Sequence, residues 1–200
     1  MRTQSKIPAT IRRIVLTGFM GAGKSTIGPL LARRLAWDFV DTDAAVESRT
    51  RLTIARIFAE KGESAFRALE AEAVCACAQS EKLILALGGG ALESEGTRKA
   101  LSGLDETCVI FLDAPIEVML ARCMAQPEAA ERPVLHDRDR LAARLAKRLP
   151  HYRQAHLTVA TVGRTPEAVA DAIIEAVANA LPQREIPKVQ EKHPISKSRV

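Results

Sequence analysis

The chain has 200 residues, 47% hydrophobic and 26% charged, proportions that suit one soluble globular domain with a sizeable core. Of its formal charge of +5, residues 1–13 carry +4 and residues 183–200 carry +3, which leaves −2 for the body between them. A basic nucleic-acid-binding face on the folded part is therefore not expected, and no apolar run reaches the length of a membrane span.

In chain order, an apolar strand at Ile14–Thr17 leads into Gly18-Phe19-Met20-Gly21-Ala22-Gly23-Lys24-Ser25 and a helix over Ser25–Leu35. This G-x-x-x-x-G-K-S string sits between strand and helix, the context that makes it a phosphate-binding loop. Glycines at 18, 21 and 23 let backbone N–H groups close on phosphate oxygens, and the helix start adds free donors. Lys24 can reach the β- and γ-phosphates, and the Ser25 hydroxyl can ligate magnesium. The sequence thus marks a nucleoside triphosphate site.

A second strand, Phe39–Val40, ends in Asp41-Thr42-Asp43, where two carboxylates two residues apart can face one cleft as metal and base partners. Helices follow over Ala44–Thr50, Thr53–Lys61 and Glu63–Cys77. Arg67 and Glu70 stand three apart on the last of these, a spacing that suits an ion pair but on its own favours a solvated face. A third strand, Leu83–Leu87, runs into Gly88-Gly89-Gly90, whose backbone can approach a ligand closely. No acid ends this strand, which shifts metal duty toward Ser25 and Asp41. Then come a helix at Ser94–Leu101, a strand at Val109–Leu112 and a helix at Ile116–Met124 bearing Arg122. A polar stretch around Arg132 has the form of a lid, about 125–139. A basic helix at Asp137–Ala155 carries Arg148, and a strand at Leu157–Ala160 and a helix at Pro166–Leu181 close the series. Five short strands interleaved with helices predict an α/β domain, a five-stranded parallel sheet covered on both faces, with ligands beyond the carboxyl ends of the strands. Residues 1–11 read as a basic arm, 12–181 as the domain, and 182–200 as a disordered tail.

The N-terminus has no apolar stretch before a cleavage site, so a cytoplasmic protein is expected. Cys75, Cys77, Cys108 and Cys123 have no C-x-x-C spacing and read as reduced small hydrophobes.

The ordered set GFMGAGKST, DTD, FAEKGESAFRALE, LGGGA, RPVL and R-x-P-x-Y resembles the shikimate kinase family over about residues 12–181. The resemblance implies a P-loop kinase fold akin to nucleoside monophosphate kinases, with ATP and Mg2+ as cofactors. It implies that Gly21, Ala22, Gly23, Lys24, Ser25 and Thr26 bind ATP phosphates, with Ser25 on the metal and Asp41 reaching it through water. Asp43 would hold the substrate hydroxyls and take the proton of the 3-hydroxyl. Arg67 and Arg148 would pair with the shikimate carboxylate beside Gly88, Gly89 and Gly90, with Glu70 steadying the site and Phe58 and Phe66 as apolar walls. Arg132 would be the lid arginine, and Arg122 and Arg164 would frame the adenine. The expected protein is a monomer acting on a small molecule, with no nucleic-acid or membrane partner. The alternatives are another small-molecule kinase, such as a gluconate or nucleoside monophosphate kinase, or a nucleotide-binding regulatory module without phosphotransfer.

Overall fold

A computed structural model describes residues 7–77, 80–125 and 137–179. Strands β1 (Arg13–Thr17), β2 (Asp38–Asp41), β3 (Leu83–Ala86), β4 (Thr107–Asp113) and β5 (Leu157–Ala160) form one sheet in the order β2-β3-β1-β4-β5. Every pairing is parallel. Helices α1 (Lys24–Leu35), α2 (Thr42–Thr50), α3 (Ile54–Ala76), α4 (Glu95–Ser102), α5 (Ile116–Met124), α6 (Arg138–Tyr152) and α7 (Pro166–Asn179) connect and cover it. A 3-10 turn at Ala91–Glu93 follows β3.

The central strands β1 and β3 are buried along their whole length, whereas the edge strands β2 and β5 are partly exposed. A parallel strand covered on both faces has no solvent side, which is why β1 and β3 read as unbroken apolar runs. Arg13 is the charged exception in β1, where Thr17 is also polar; the Arg13 guanidinium donates to Thr107 Oγ1 and to the Ser80 and Asp105 carbonyls, so its buried charge is hydrogen-bonded.

The predicted elements all form, with boundaries that shift for identifiable reasons. Helix α2 starts at Thr42, two residues before the expected Ala44, because Asp41 Oδ1 accepts from the N–H groups of Asp43 (3.0 Å) and Ala44 (3.4 Å) as an N-cap. The acidic pair is thus a strand end and the first turn of a helix, and not a loop. The predicted helices Thr53–Lys61 and Glu63–Cys77 form one run, α3, broken at Gly62, which sits at φ 78° and ψ 172°, a conformation that favours glycine. Packing of α1 on β2 depends on Gly28, since a Cβ there would lie 2.2 Å from the Phe39 ring.

All strands point the same way, so the loops after β1, β2, β3 and β5 gather at one rim, where the C-terminal part of α6, through Arg148 and Tyr152, meets the loop after β3. No helix among the described residues is long and apolar enough to cross a membrane. The predicted basic arm lies mostly outside the described residues, as do most of the predicted lid and the predicted tail.

Candidate active site

A cavity of about 540 Å3 opens at that rim, lined by Met20–Ile27 of the phosphate loop, Asp41, Asp43, Leu87–Gly89 and, at the far side, Arg122, Arg164 and Pro166. Gly18, Gly21 and Gly23 all take positive φ, as the phosphate loop requires. Gly21 has a second constraint, because a Cβ there would lie 2.2 Å from the Met119 carbonyl of α5. Lys24 Nζ donates to the carbonyls of Gly18 (2.8 Å) and Phe19 (3.1 Å), stowed against its own loop. Desolvation within the loop lowers the ammonium pKa to about 8, against the opposing pull of Asp43 and Asp41. Ser25 Oγ lies 2.9 Å from Asp41 Oδ2.

At the far side, Arg122 is anchored by donating to Thr161 Oγ1 (2.8 Å) and the Thr161 carbonyl (2.9 Å). Arg122 and Arg164 both line the cavity at this side.

The other end of the cleft is built around the three glycines. The space that a Cβ on Gly88 would need lies 2.5 Å from both Asp43 Oδ1 and Glu70 Oε1. The corresponding point at Gly90 lies 2.4 Å from Arg67 Nη2 and 2.9 Å from Arg148 Nη2. Any side chain at these positions would displace the charged groups, so the loop must be glycine for two carboxylates and two guanidinium groups to converge on it. Thr42, fully buried at the start of α2, ties this loop to the acidic pair by accepting from Gly88 N–H at 2.9 Å. Tyr152, buried and stacked on Phe111 at 5.3 Å, donates its hydroxyl to the Gly89 carbonyl.

Arg67 is not on a solvated face. Its Nη1 donates to Glu70 Oε2 at 2.8 Å and its Nη2 to Glu63 Oε1 at 3.0 Å. The spacing of Arg67 and Glu70 alone favoured the solvated alternative, because spacing does not report that this face of α3 turns toward the glycine loop. Glu70 is fully buried, and its Oε1 has no protein partner. Burial raises its pKa to about 7 despite the hydrogen bond from Arg67. Asp43 is also raised, first by burial and then by repulsion from Asp41, with Lys24 and Arg67 opposing. The Phe58 and Phe66 rings pack at 4.9 Å, tilted by 35°, with Arg67 Cζ 5.3 Å from the Phe66 ring centroid; Phe66 is buried and Phe58 38% exposed. Arg148 Cζ sits 5.7 Å from the Phe19 ring centroid, and its Nε donates to Glu93 Oε2.

The structure therefore brings Asp43, Arg67, Glu70, Gly88–Gly90 and Arg148 together opposite Lys24, Ser25 and Asp41. Arg132 lies outside the described residues. Thr42, Glu93, Tyr152 and Thr161 were given no role from sequence. Tyr152 stands four residues after Arg148 on one helix face, a spacing that could have signalled a shared task. The other three carry no such mark, since their contacts cross from one element to another.

A phosphate loop on a five-stranded parallel sheet, facing a charged acceptor cleft, defines a small-molecule P-loop kinase. The family model described as shikimate kinase matches residues 20–178. The shikimate kinase of Thermus thermophilus is 42% identical over 173 residues, covering 85% of this chain and 92% of that relative. That of Thermobifida fusca is 45% identical over 162 residues, covering 80% and 91%. Among solved structures, shikimate kinase from Acinetobacter baumannii in complex with shikimate matches with a TM-score of 0.75 and 34% identity, covering 84% of this chain and 93% of that one. A gluconokinase from Sinorhizobium meliloti matches with a TM-score of 0.58 at 18% identity, covering 86% and 95%, a likeness of fold alone. The chain belongs to the shikimate kinase family.

Proposed function

We propose that this protein transfers the γ-phosphoryl group of ATP to the 3-hydroxyl of shikimate, giving shikimate 3-phosphate and ADP. The observation that carries this reading is the convergence of Arg67 and Arg148 over Gly90 with Asp43 beside Gly88. Two guanidinium groups suit a carboxylate, and a carboxylate at the neighbouring position suits hydroxyls. Shikimate presents both.

The roles follow from placement. The backbone N–H groups of Gly21–Thr26 and the Lys24 ammonium hold the triphosphate. Asp43, poised by burial to accept a proton, orients the acceptor hydroxyl and takes its hydrogen as transfer proceeds. Arg67 and Arg148 fix the substrate carboxylate, Glu70 keeps Arg67 in place, and Phe58 and Phe66 supply the apolar side of the pocket. Arg122 and Arg164 flank the nucleobase. Ser25 Oγ and Asp41 Oδ2, 2.9 Å apart beside the phosphate loop, form a hard oxygen pair that fits Mg2+, which keeps most of its water and needs few protein ligands. When bound, the ion neutralises phosphate charge. The chain itself contributes positioning and a preset electrostatic field, with no covalent step. The same reading takes the protein as a cytoplasmic monomer that binds small molecules and no nucleic acid, in keeping with a body charge of −2.

The test is coupled ADP release with the purified protein and shikimate, gluconate or nucleoside monophosphates as acceptor. Turnover with shikimate alone is expected; turnover with another acceptor in its place contradicts the reading.

A further inference from the structure

Arg148 reaches the acceptor cleft from α6, where Tyr152 one turn on also hydrogen-bonds it, yet the carboxylate that holds its guanidinium belongs to a different element. Its Nε donates to Glu93 Oε2 at 2.7 Å, and Lys147 Nζ lies 3.0 Å from Glu93 Oε1. Glu93 closes the 3-10 turn after the three glycines, and its own N–H donates to the Gly90 carbonyl at 3.0 Å. The carboxylate is thereby held in register with the backbone that lines the cleft.

The pair is well enclosed. The side chains of Arg148 and Glu93 are 12% and 19% exposed, whereas that of Lys147 is 75% exposed. A charge-assisted hydrogen bond in such a place is stronger than a surface ion pair. Burial works to raise the Glu93 carboxyl, but the hydrogen bonds and charges of Lys147 and Arg148 prevail and hold it below its ordinary value.

A guanidinium offers two kinds of edge to a carboxylate, one through Nε and a neighbouring Nη, the other through Nη1 and Nη2. Glu93 takes the Nε side. The Nη1–Nη2 edge is what faces the glycines, with Nη1 3.8 Å from the Cβ point of Gly89 and Nη2 2.9 Å from that of Gly90. Arg67 differs, because Glu70 and Glu63 already engage its Nη1 and Nη2. Arg148 meets a carboxylate only through Nε among the described residues, so its Nη1–Nη2 edge is the one left for an anion.

We propose that Glu93 is a positioning residue for Arg148: by occupying Nε it turns the Nη1–Nη2 edge toward the acceptor carboxylate and sets the affinity for it. The inference rests on the shikimate reading above. It has a rival of opposite sign, because Glu93 also brings a negative charge near the cleft. If that repulsion governed, removing Glu93 would tighten binding of an anionic acceptor.

The experiment measures kcat and the KM values for shikimate and for ATP in wild type, E93A, E93Q, R148A, E93A/R148A and K147A, with thermal melting of each. Positioning predicts that E93A raises the shikimate KM about tenfold, the scale of one charge-assisted hydrogen bond, with kcat and the ATP KM within about twofold. E93Q, isosteric and still an acceptor, recovers part of that loss. K147A stays within about twofold, and E93A adds nothing once Arg148 is gone. A shikimate KM that falls in E93Q or E93A, or that stays level in a normally melting E93A, overturns the proposal, as does an undiminished E93A effect in the R148A background. Wild type that fails to phosphorylate shikimate at all overturns the functional reading instead, a result easily told apart.

Discussion

The two halves of the cleft are made in different ways. In the proposed reading, the nucleotide half centres on one contiguous segment, Gly18–Thr26, whose backbone N–H groups and one lysine face the cavity, with Arg122 and Arg164 at its far side. The acceptor half is assembled from side chains on α2, α3, the glycine loop and α6, separated by up to about a hundred residues of sequence. It also concentrates ionisable groups away from water: the partly buried Asp43 and the fully buried Glu70 sit about one point, the partly buried Arg67 and Arg148 about another. A backbone cradle binds any triphosphate. A set of opposed, largely enclosed ionisable groups fits one small acceptor and is costly to leave unpaired, so specificity should reside there.

The comparison can be broken most severely at Asp43. D43N keeps the shape but removes the proton acceptor, and kcat should fall by about 10^2–10^4, with ATP affinity changed by less than about threefold. Pre-steady-state phosphate transfer and nucleotide titration together check this. If turnover persists, the carboxylate only positions the hydroxyl.

Next in size is R148A, which should raise the shikimate KM by about 10–100-fold with a smaller change in kcat, since the carboxylate is bound alike in ground and transition states. R67A should do the same and, in addition, leave Glu70 buried without its partner. A change confined to the ATP KM would place these arginines in the wrong half.

The third prediction concerns pH. Glu70 moves from 4.5 to about 7 on folding, so the native state holds the extra proton between those values. Stability of the free protein should therefore be greatest below about pH 4.5 as far as this group is concerned, and should decline as pH rises to about 7. The loss is on the order of 3 kcal/mol. In E70Q that slope should flatten, and denaturant midpoints across the range would show it. An unchanged slope would mean that Glu70 is ionised throughout.

The smallest effect is expected at Tyr152. Y152F keeps the stack on Phe111 and removes only the hydroxyl bonded to the Gly89 carbonyl. It should cost about 1 kcal/mol of stability and raise the shikimate KM a few-fold, with the ATP KM unmoved. Calorimetry and acceptor titration resolve the two.

The same contrast explains what could be read from the sequence. The buried strands β1 and β3 show as unbroken apolar runs, and the phosphate loop is a local string with its own flanks, so the sheet and the nucleotide half were legible. In the acceptor half, Asp43, Arg67, Glu70, Gly88–Gly90 and Arg148 became visible as a set only through resemblance to a family. Spacing alone left Arg67 and Glu70 on a solvated face. Thr42, Glu93, Tyr152 and Thr161 act across elements, through contacts that depend on where loops meet. The raised carboxyl of Glu70 is a consequence of burial, which no local pattern encodes.

The most direct test of the account is to identify the product. Phosphorus NMR and mass spectrometry of a reaction of the purified protein with ATP, Mg2+ and shikimate should show one phosphomonoester, on the 3-hydroxyl, formed in step with ADP. ADP formed together with free phosphate and no phosphorylated acceptor, or a phosphoryl group on another hydroxyl, would contradict it.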